Sequence, residues 1–350
     1  MKWLKTLFTA VFLLSFLCSI SFSKNNFFTG NAQKAKRPTI KVPEEFETIQ
    51  EAIDSASDGY LILVDEGTYS ENINFNGKKI IVKSLFGAEE TIIDGDGKGA
   101  TVSFNSGENR LSVLDGFSII NGAGSHRYSS GAYGGGIDCY NSSSPTIKNC
   151  LIYDNEASGY GGGICCWKSA PTIESCKIYD NSGTKGGGGI YLESSRAIIR
   201  NCIISNNKTE ALGGGIFYNA CSPATTNCTI SENSAKIAGG GIYLENSSSP
   251  KITNCIVRDN IATTKSPEIG TLSEKSSPKV TYSNIKGGYK GDGNIDGDPD
   301  YSTGINRDFH LTINSPCIDA GTAERAPKHD LNGVKRPLGK GFDIGAYEDF

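Results

Sequence analysis

An all-β solenoid, in which each repeat is one turn of the chain, is the fold class this sequence predicts, and three columns of residues predict it. Gly-Gly-Gly-Ile recurs with its isoleucine at Ile137, Ile164, Ile190, Ile216 and Ile242. Cysteines follow at Cys150, Cys176, Cys202, Cys228 and Cys255, and five residues past each stands Asn155, Asn181, Asn207, Asn233 or Asn260. The spacing is about 26 residues, and a fixed period of this size built from short β-prone runs and glycine turns marks a stacked repeat. A content of 43 glycines against one methionine favours strands and turns over long helices. A solenoid lengthens by adding coils, so the chain needs only one domain for them.

At the N-terminus, Lys2 and Lys5 precede an apolar run from Leu7 to Ile20, and Ser21-Phe22-Ser23 supplies the small residues of a cleavage site. Residues 1–23 therefore read as a secretory signal peptide, too short in its apolar run for a membrane anchor. Cys18 is preceded by Leu17, where lipoprotein processing wants a small residue. The expected destination is secreted, extracellular or cell-surface, with the periplasm as the alternative. Residues 24–42 carry Lys24, Lys34, Lys36, Arg37 and Lys41 without an acid and read as a flexible basic leader. Without Lys2 and Lys5 the chain holds 32 basic and 38 acidic groups, a balance that argues against nucleic acid as partner. No segment after the signal could span a membrane.

The coils, with their N-terminal cap, are expected over residues 43–288. Thr48 and Glu51 make a capping box, Ile49, Ala52, Ile53 and Ala56 share one helical face, and Gly59 closes the helix. A short amphipathic helix there would cover the open apolar end of a solenoid. Strand-like runs follow at Leu61 to Val64, Ile80 to Lys83, Thr91 to Asp94 and Val102 to Phe104. The run Phe46 to Ile53, then Leu61-Ile62-Leu63-Val64 and Gly67-Thr68-Tyr69-Ser70-Glu71, resembles the N-terminal cap and first coil of the pectate-lyase-like right-handed parallel β-helix superfamily. That superfamily includes polysaccharide lyases, glycoside hydrolases, esterases, tailspikes and adhesins. The resemblance implies a single-stranded right-handed parallel β-helix, here of about eight to nine coils and roughly 40 to 45 Å by rung spacing. Fold alone does not assign activity.

Aligning Asp115 to Asn121 with Asn149 to Asn155 makes Asn121 the head of the asparagine column. Seven extra residues before Gly134 form a protruding loop with His126, Arg127 and Tyr128. In each coil the Gly-Ile strand turns its isoleucine inward, with Cys139, Cys166, Leu192, Tyr218 and Leu244 on the same side two residues later. Pro145, Pro171, Pro223 and Pro250 belong at a corner, because proline cannot donate to a ladder. A second strand brings in Ile147, Ile173, Ile199, Thr225 and Ile252; a third brings in Ile152, Ile178, Ile204, Ile230 and Val257. The cysteines read as a column of buried thiols about 4.8 Å apart, close enough to bridge but not obliged to. The asparagines read as a structural ladder, their amides bonding from rung to rung and their backbone tolerating the left-handed conformation.

The last coil degenerates, with Ser283 in place of the cysteine and Gly288 of the asparagine. Residues 289–350 then form a closing module. Ser315-Pro316-Cys317-Ile318-Asp319-Ala320-Gly321 and Phe342-Asp343-Ile344-Gly345-Ala346-Tyr347-Glu348 resemble the C-terminal module of choice-of-anchor type found after β-helices in exported bacterial proteins. Separately, Gly-Gly-Gly-Ile paired with Ile178 to Asn181 and Ile204 to Asn207 is similar to the repeats of polymorphic outer-membrane adhesins, which carry phenylalanine where this chain has isoleucine or valine.

For chemistry, strand parity leaves Asp138 and Tyr140, Cys165 and Trp167, Tyr191 and Glu193, Phe217 and Asn219, Tyr243 and Glu245 facing outward. Tyr140, Trp167, Tyr191, Phe217 and Tyr243 would then expose one ring per coil, edged by Glu193 and Glu245, which suits the apolar faces and hydroxyls of a polysaccharide or cell-surface glycan. The alternative is a ladder of rings that only stabilises the sheet. An enzyme is the other reading. A hydrolase wants two carboxyls roughly 5 to 9.5 Å apart, whereas Asp138 and Glu193, two rungs apart and offset by two residues, have backbones on the order of 11 Å apart. A lyase could use Arg127, His126 and Lys168 near Asp138. The catalytic signatures of polygalacturonases, pectate lyases and pectin methylesterases are missing. Calcium has two candidate places: the turn acids Asp154 and Asp180, and the half-loop Asp292-x-Asn294-x-Asp296, whose twelfth position is Thr303 and not a bidentate acid. A surface adhesin contacting protein completes the function classes.

Overall fold

The structure is a computed structural model that describes residues 37–128, 131–302 and 308–350, with the side chains of Arg127 and Tyr128 outside that description. The signal peptide and most of the basic leader lie outside the described residues, as does Thr303. Among the described residues, parallel sheets of ten, eight and nine strands run along the molecule, with a fourth sheet of five two-residue strands, giving about nine turns. Thr39–Val42 is the first strand of the ten-stranded sheet, paired with Leu61–Val64, so the ordered fold begins inside the stretch expected as leader.

The N-terminal helix, α1 (Ile49–Ser55), has the predicted capping box, and the Glu71 carboxylate accepts from the amides of both Ile49 and Gln50 at 2.8 Å. Two unpaired donors at the helix start are thereby met by a negative charge. Ile49, Ala52 and Ile53 are buried over the open end of the coil stack.

The three inward columns are fully buried, and the interior is aliphatic, thiol and aromatic. Tyr218 stands among leucines and cysteines, and its hydroxyl bonds Thr225 at 2.7 Å. Thr225 replaces the isoleucine of its column at that coil, which supplies the partner a buried phenol needs. The ten described cysteines are free and buried. Burial raises the thiol pKa of Cys139, Cys166 and Cys317, and pushes Cys221 up to about 11.

The asparagine ladder runs Asn155, Asn181, Asn207, Asn233, Asn260. Each amide nitrogen donates to the next amide oxygen at 2.9 to 3.0 Å, and that oxygen also accepts the backbone N–H of the residue below. The third glycine of each Gly-Gly-Gly lies against this column: a Cβ on Gly136, Gly163, Gly189 or Gly215 would come within 2.9 to 3.0 Å of an asparagine nitrogen. The two repeating motifs are therefore two sides of one contact. The ladder ends on Glu268, whose carboxylate accepts from Asn260 at 2.6 Å and whose pKa burial raises to about 7.

Two details differ from the sequence reading. Asn121 does not head the ladder, because Ser118 pairs with Leu151 and the register is shifted by one residue. The ladder's first acceptor serves Gly122, while Asn121 is exposed and bonds Asp94. The left-handed residues are also not the ladder asparagines but the ones just before them, Asp154, Asp180, Asn206, Glu232 and Asp259, with φ of 52 to 60°. A one-residue corner needs the positive φ, and the following amide is then aimed inward.

The expected loop before Gly134 is an antiparallel hairpin of Ser125–Tyr128 and Gly131–Tyr133. Beyond Ile285, residues 289–297 make a last partial rung: Tyr282 N donates to Asp292 O, Ile285 N to Ile295 O, and Ile295 N to Ser283 O. The chain then runs back along the side of the nine-stranded sheet. Phe309, Ala346 and Tyr347 pack on Ile203, and Leu311, Cys317 and Ile344 on Ile256. Asn201, Asn227 and Asn254 donate to the carbonyls of His329, Asp343 and Thr322. Arg336 and Glu348, both fully buried, pair at 2.5 Å within it. No helix among the described residues is long and apolar enough to cross a membrane.

Candidate functional site

The strands Ile137–Cys139, Ile164–Trp167, Ile190–Glu193, Ile216–Asn219 and Ile242–Glu245 lie side by side in register. Their outward side chains separate into two columns with different fates. Asp138, Cys165, Tyr191, Phe217 and Tyr243 are all at most 2% exposed. Tyr133, Tyr160, Leu212 and Ala238, from the glycine-turn side of the coil, cover them as a second apolar layer. The rings mesh as an edge-to-face and stacked ladder with centroids 4.5 to 5.3 Å apart. The expectation of one exposed ring per coil therefore fails for Tyr191, Phe217 and Tyr243: parity puts them outside the barrel, but the glycine-turn side of the stack folds over them. Asp138, the expected catalytic carboxylate, is buried in the same layer and is not presented to a substrate.

The other column stays open. Tyr140, Trp167, Glu193, Asn219 and Glu245 are half-buried and occupy one rung each. Four intervals of about 4.8 Å give a ledge on the order of 19 Å. Its polar groups are held in place from beneath and beside. The Tyr191 hydroxyl donates to Glu193 at 2.8 Å and accepts from Asn219 at 2.9 Å, and Asn246 donates to the Asn219 oxygen at 2.7 Å. Burial raises the Tyr191 pKa, keeping that hydroxyl a donor. At the aromatic end, the Lys168 ammonium sits 4.5 Å above the Trp167 ring. Lys168 takes the left-handed corner (φ 48°) where sibling coils use Asn141, Ser194, Ala220 and Asn246. A shallow groove lined by Lys168, Arg196 and the serines 142, 144, 169 and 194 runs beside it.

The remaining expected residues are dispersed. His126 is exposed on the hairpin, and the side chain of Arg127 lies outside the described residues. Glu193 and Lys168 share the ledge with Trp167, but the buried Asp138 does not join them. Asp180 accepts from Asn206, and Asp154 is exposed at its corner. Asn294 is taken up by Ser283 N and by the carbonyls of Val280 and Tyr289; Asp296 pairs with Arg258 at 2.8 Å. Asp292 contributes its carbonyl to the closing rung. Among the described residues there is no cluster of three or more His, Cys, Asp or Glu side chains able to hold a metal.

The family model for the right-handed β-helix region matches residues 89–238 and 185–306, which together span more than half of the chain. This chain belongs to the right-handed β-helix family. No curated protein matches it. Among solved structures, this β-helix is similar to a pectin methylesterase from Aspergillus niger, at 15% identity over 79% of this chain and 93% of that one, with a TM-score of 0.45. It is also similar to pectate lyase Pel9A, at 16% identity over 86% and 91% of the two chains and a TM-score of 0.44. Carrot pectin methylesterase matches at 15% identity over 76% and 82%, with a TM-score of 0.38.

Proposed function

We propose that this β-helix is a secreted or cell-surface protein that binds polysaccharide lengthwise along the ledge of Tyr140, Trp167, Glu193, Asn219 and Glu245. The observation that carries the reading is the column itself: aromatic faces at one end and a pre-tied run of carboxylates and an amide at the other, in single file. A pyranose offers an apolar face and a ring of hydroxyls, so it matches such a mixed surface better than a protein partner does. Because the Tyr191, Asn219 and Asn246 bonds fix the polar atoms beforehand, little side-chain ordering is left to oppose binding. A glycan array with the intact protein tests it. Binding of at least one polymer, weakened by Trp167→Ala and by Glu193→Gln, is the expected result. Array binding that both variants leave unaltered, or none at all, would remove the ledge from consideration.

A further inference from the structure

A second concave site lies on a different face, on the nine-stranded sheet. The C-terminal segment packs on the nine-stranded sheet at the rungs of Ile203 and Ile256. On the other side, the loop Leu85 to Glu90 leans over the sheet, and Ser118 bonds the carbonyl of Ala88. The rungs Leu151–Tyr153 and Lys177–Tyr179 are left between these two walls as the floor of a trench.

The trench has a cavity of about 530 Å³ lined by Glu89, Lys177, Tyr179, Asp180, Ser205 and Phe309, among others. That volume falls within the range of small-ligand sites. Leu331 and Asn332 of the C-terminal segment, with Phe86 and Glu90 opposite, extend it outward. Two features suit it to a sugar. The rings of Tyr153 and Tyr179 stack on adjacent rungs at 4.9 Å and 7°, so both are held rigid, and the next rung replaces the ring with Ser205. Ser205 is nearly buried and lines the trench floor together with Tyr179 and Phe309. The walls also carry both donors and acceptors: Lys177, Ser205, Asn332, Glu89 and Asp180.

The charges choose among sugars. Glu89, Glu90 and Asp180 face Lys177 alone, so the trench is net negative and disfavours a uronate. We propose that this trench is a second glycan site, independent of the ledge, that takes an amino-sugar segment, with its ring against Tyr179 and its ammonium toward Glu89 and Asp180.

Isothermal titration of the full chain with a glucosamine hexamer, and in parallel with an oligogalacturonate of equal length, tests the assignment. Tyr179→Ala should weaken glucosamine-oligomer binding about tenfold, the scale of one lost ring contact. Ser205→Tyr, which would set a third ring beside Tyr179 and fill the trench floor, should abolish it while far-ultraviolet circular dichroism stays that of the parent. Raising the salt should weaken it further. Three results would each overturn the proposal: no binding of the glucosamine oligomer, tighter binding of the oligogalacturonate at this site, or binding lost in Trp167→Ala but untouched by Tyr179→Ala and Ser205→Tyr. The last would move the oligomer to the ledge and leave the ledge reading standing.

Discussion

At the scale of single residues, the structure holds several buried charges whose cost shows up as pH dependence. Glu268 closes the asparagine ladder, and burial raises its pKa to about 7; Asp343, which accepts from the amides of Asp319 and Asp349, is raised to about 7 for the same reason. In the unfolded chain such groups titrate near 4. Between about pH 4 and 7 the folded state therefore binds more protons than the unfolded state, so stability falls as pH rises through that window. Thermal melts should give a higher Tm at pH 5 than at pH 8, and Glu268→Gln should flatten that slope without abolishing it, because Asp343 remains. A slope unaffected by Glu268→Gln would show that the carboxyl titrates normally. The Arg336–Glu348 pair makes a second case. With both partners fully buried, Arg336→Met leaves Glu348 a lone buried charge, which should cost about 3 to 5 kcal/mol in urea unfolding. Replacing both partners by apolar residues together should cost much less.

At the scale of the coil, the repeat was legible because its columns answer to geometry that recurs at every turn. Isoleucine, cysteine and aliphatic positions alternate with the strand period, so their inward direction followed from parity alone. The tripeptide Gly-Gly-Gly was visible, but its reason was not: only the fold shows that its third member lies against the ladder amide. The register at Asn121 was misread by one residue because the pairings of Asp115 with Lys148 and of Ser118 with Leu151, which set Asn121 opposite Asp154, cannot be seen in the sequence. The ladder can be tested through that difference. Asn207 donates to Ile178 O and Asn233, and accepts from Asn181, all buried; Asn207→Ala should cost about 1 to 3 kcal/mol or more, since it strands several polar groups. Asn121→Ala, at an exposed corner, should stay within about 0.5 kcal/mol. Equal costs in urea unfolding would mean that Asn121 belongs to the ladder after all. The functional columns were less legible for a related reason. Parity says which side chains leave the barrel, but not which of them a neighbouring coil's turn then covers, and Tyr160, from the preceding coil, over Tyr191 is such a cover.

At the scale of the whole molecule, a repeat stack is expected to unravel from its ends, because each coil contacts only its neighbours. Both ends here are tied differently. α1 seals the first coil, with Glu71 fixing the helix start. At the other end the last rungs are bound sideways, since Asn201, Asn227 and Asn254 reach from three successive coils to one returning segment. That segment couples coils that are not adjacent, so the C-terminal half should open as one unit and not coil by coil. The buried cysteines are built-in reporters of the order, one to three per coil. In native buffer none of the ten described thiols should react with an alkylating reagent, since burial removes access and raises the pKa of those such as Cys139. In rising urea, Cys202, Cys228, Cys255 and Cys317 should become labelled together. Arg336→Met, which loosens the returning segment, should separate them, with Cys317 and Cys255 labelled at lower urea than Cys228 and Cys202. Mass spectrometry of the alkylated peptides reads this directly, and stepwise labelling of the parent from Cys255 inward would show that the C-terminal segment lies on the coils without joining them.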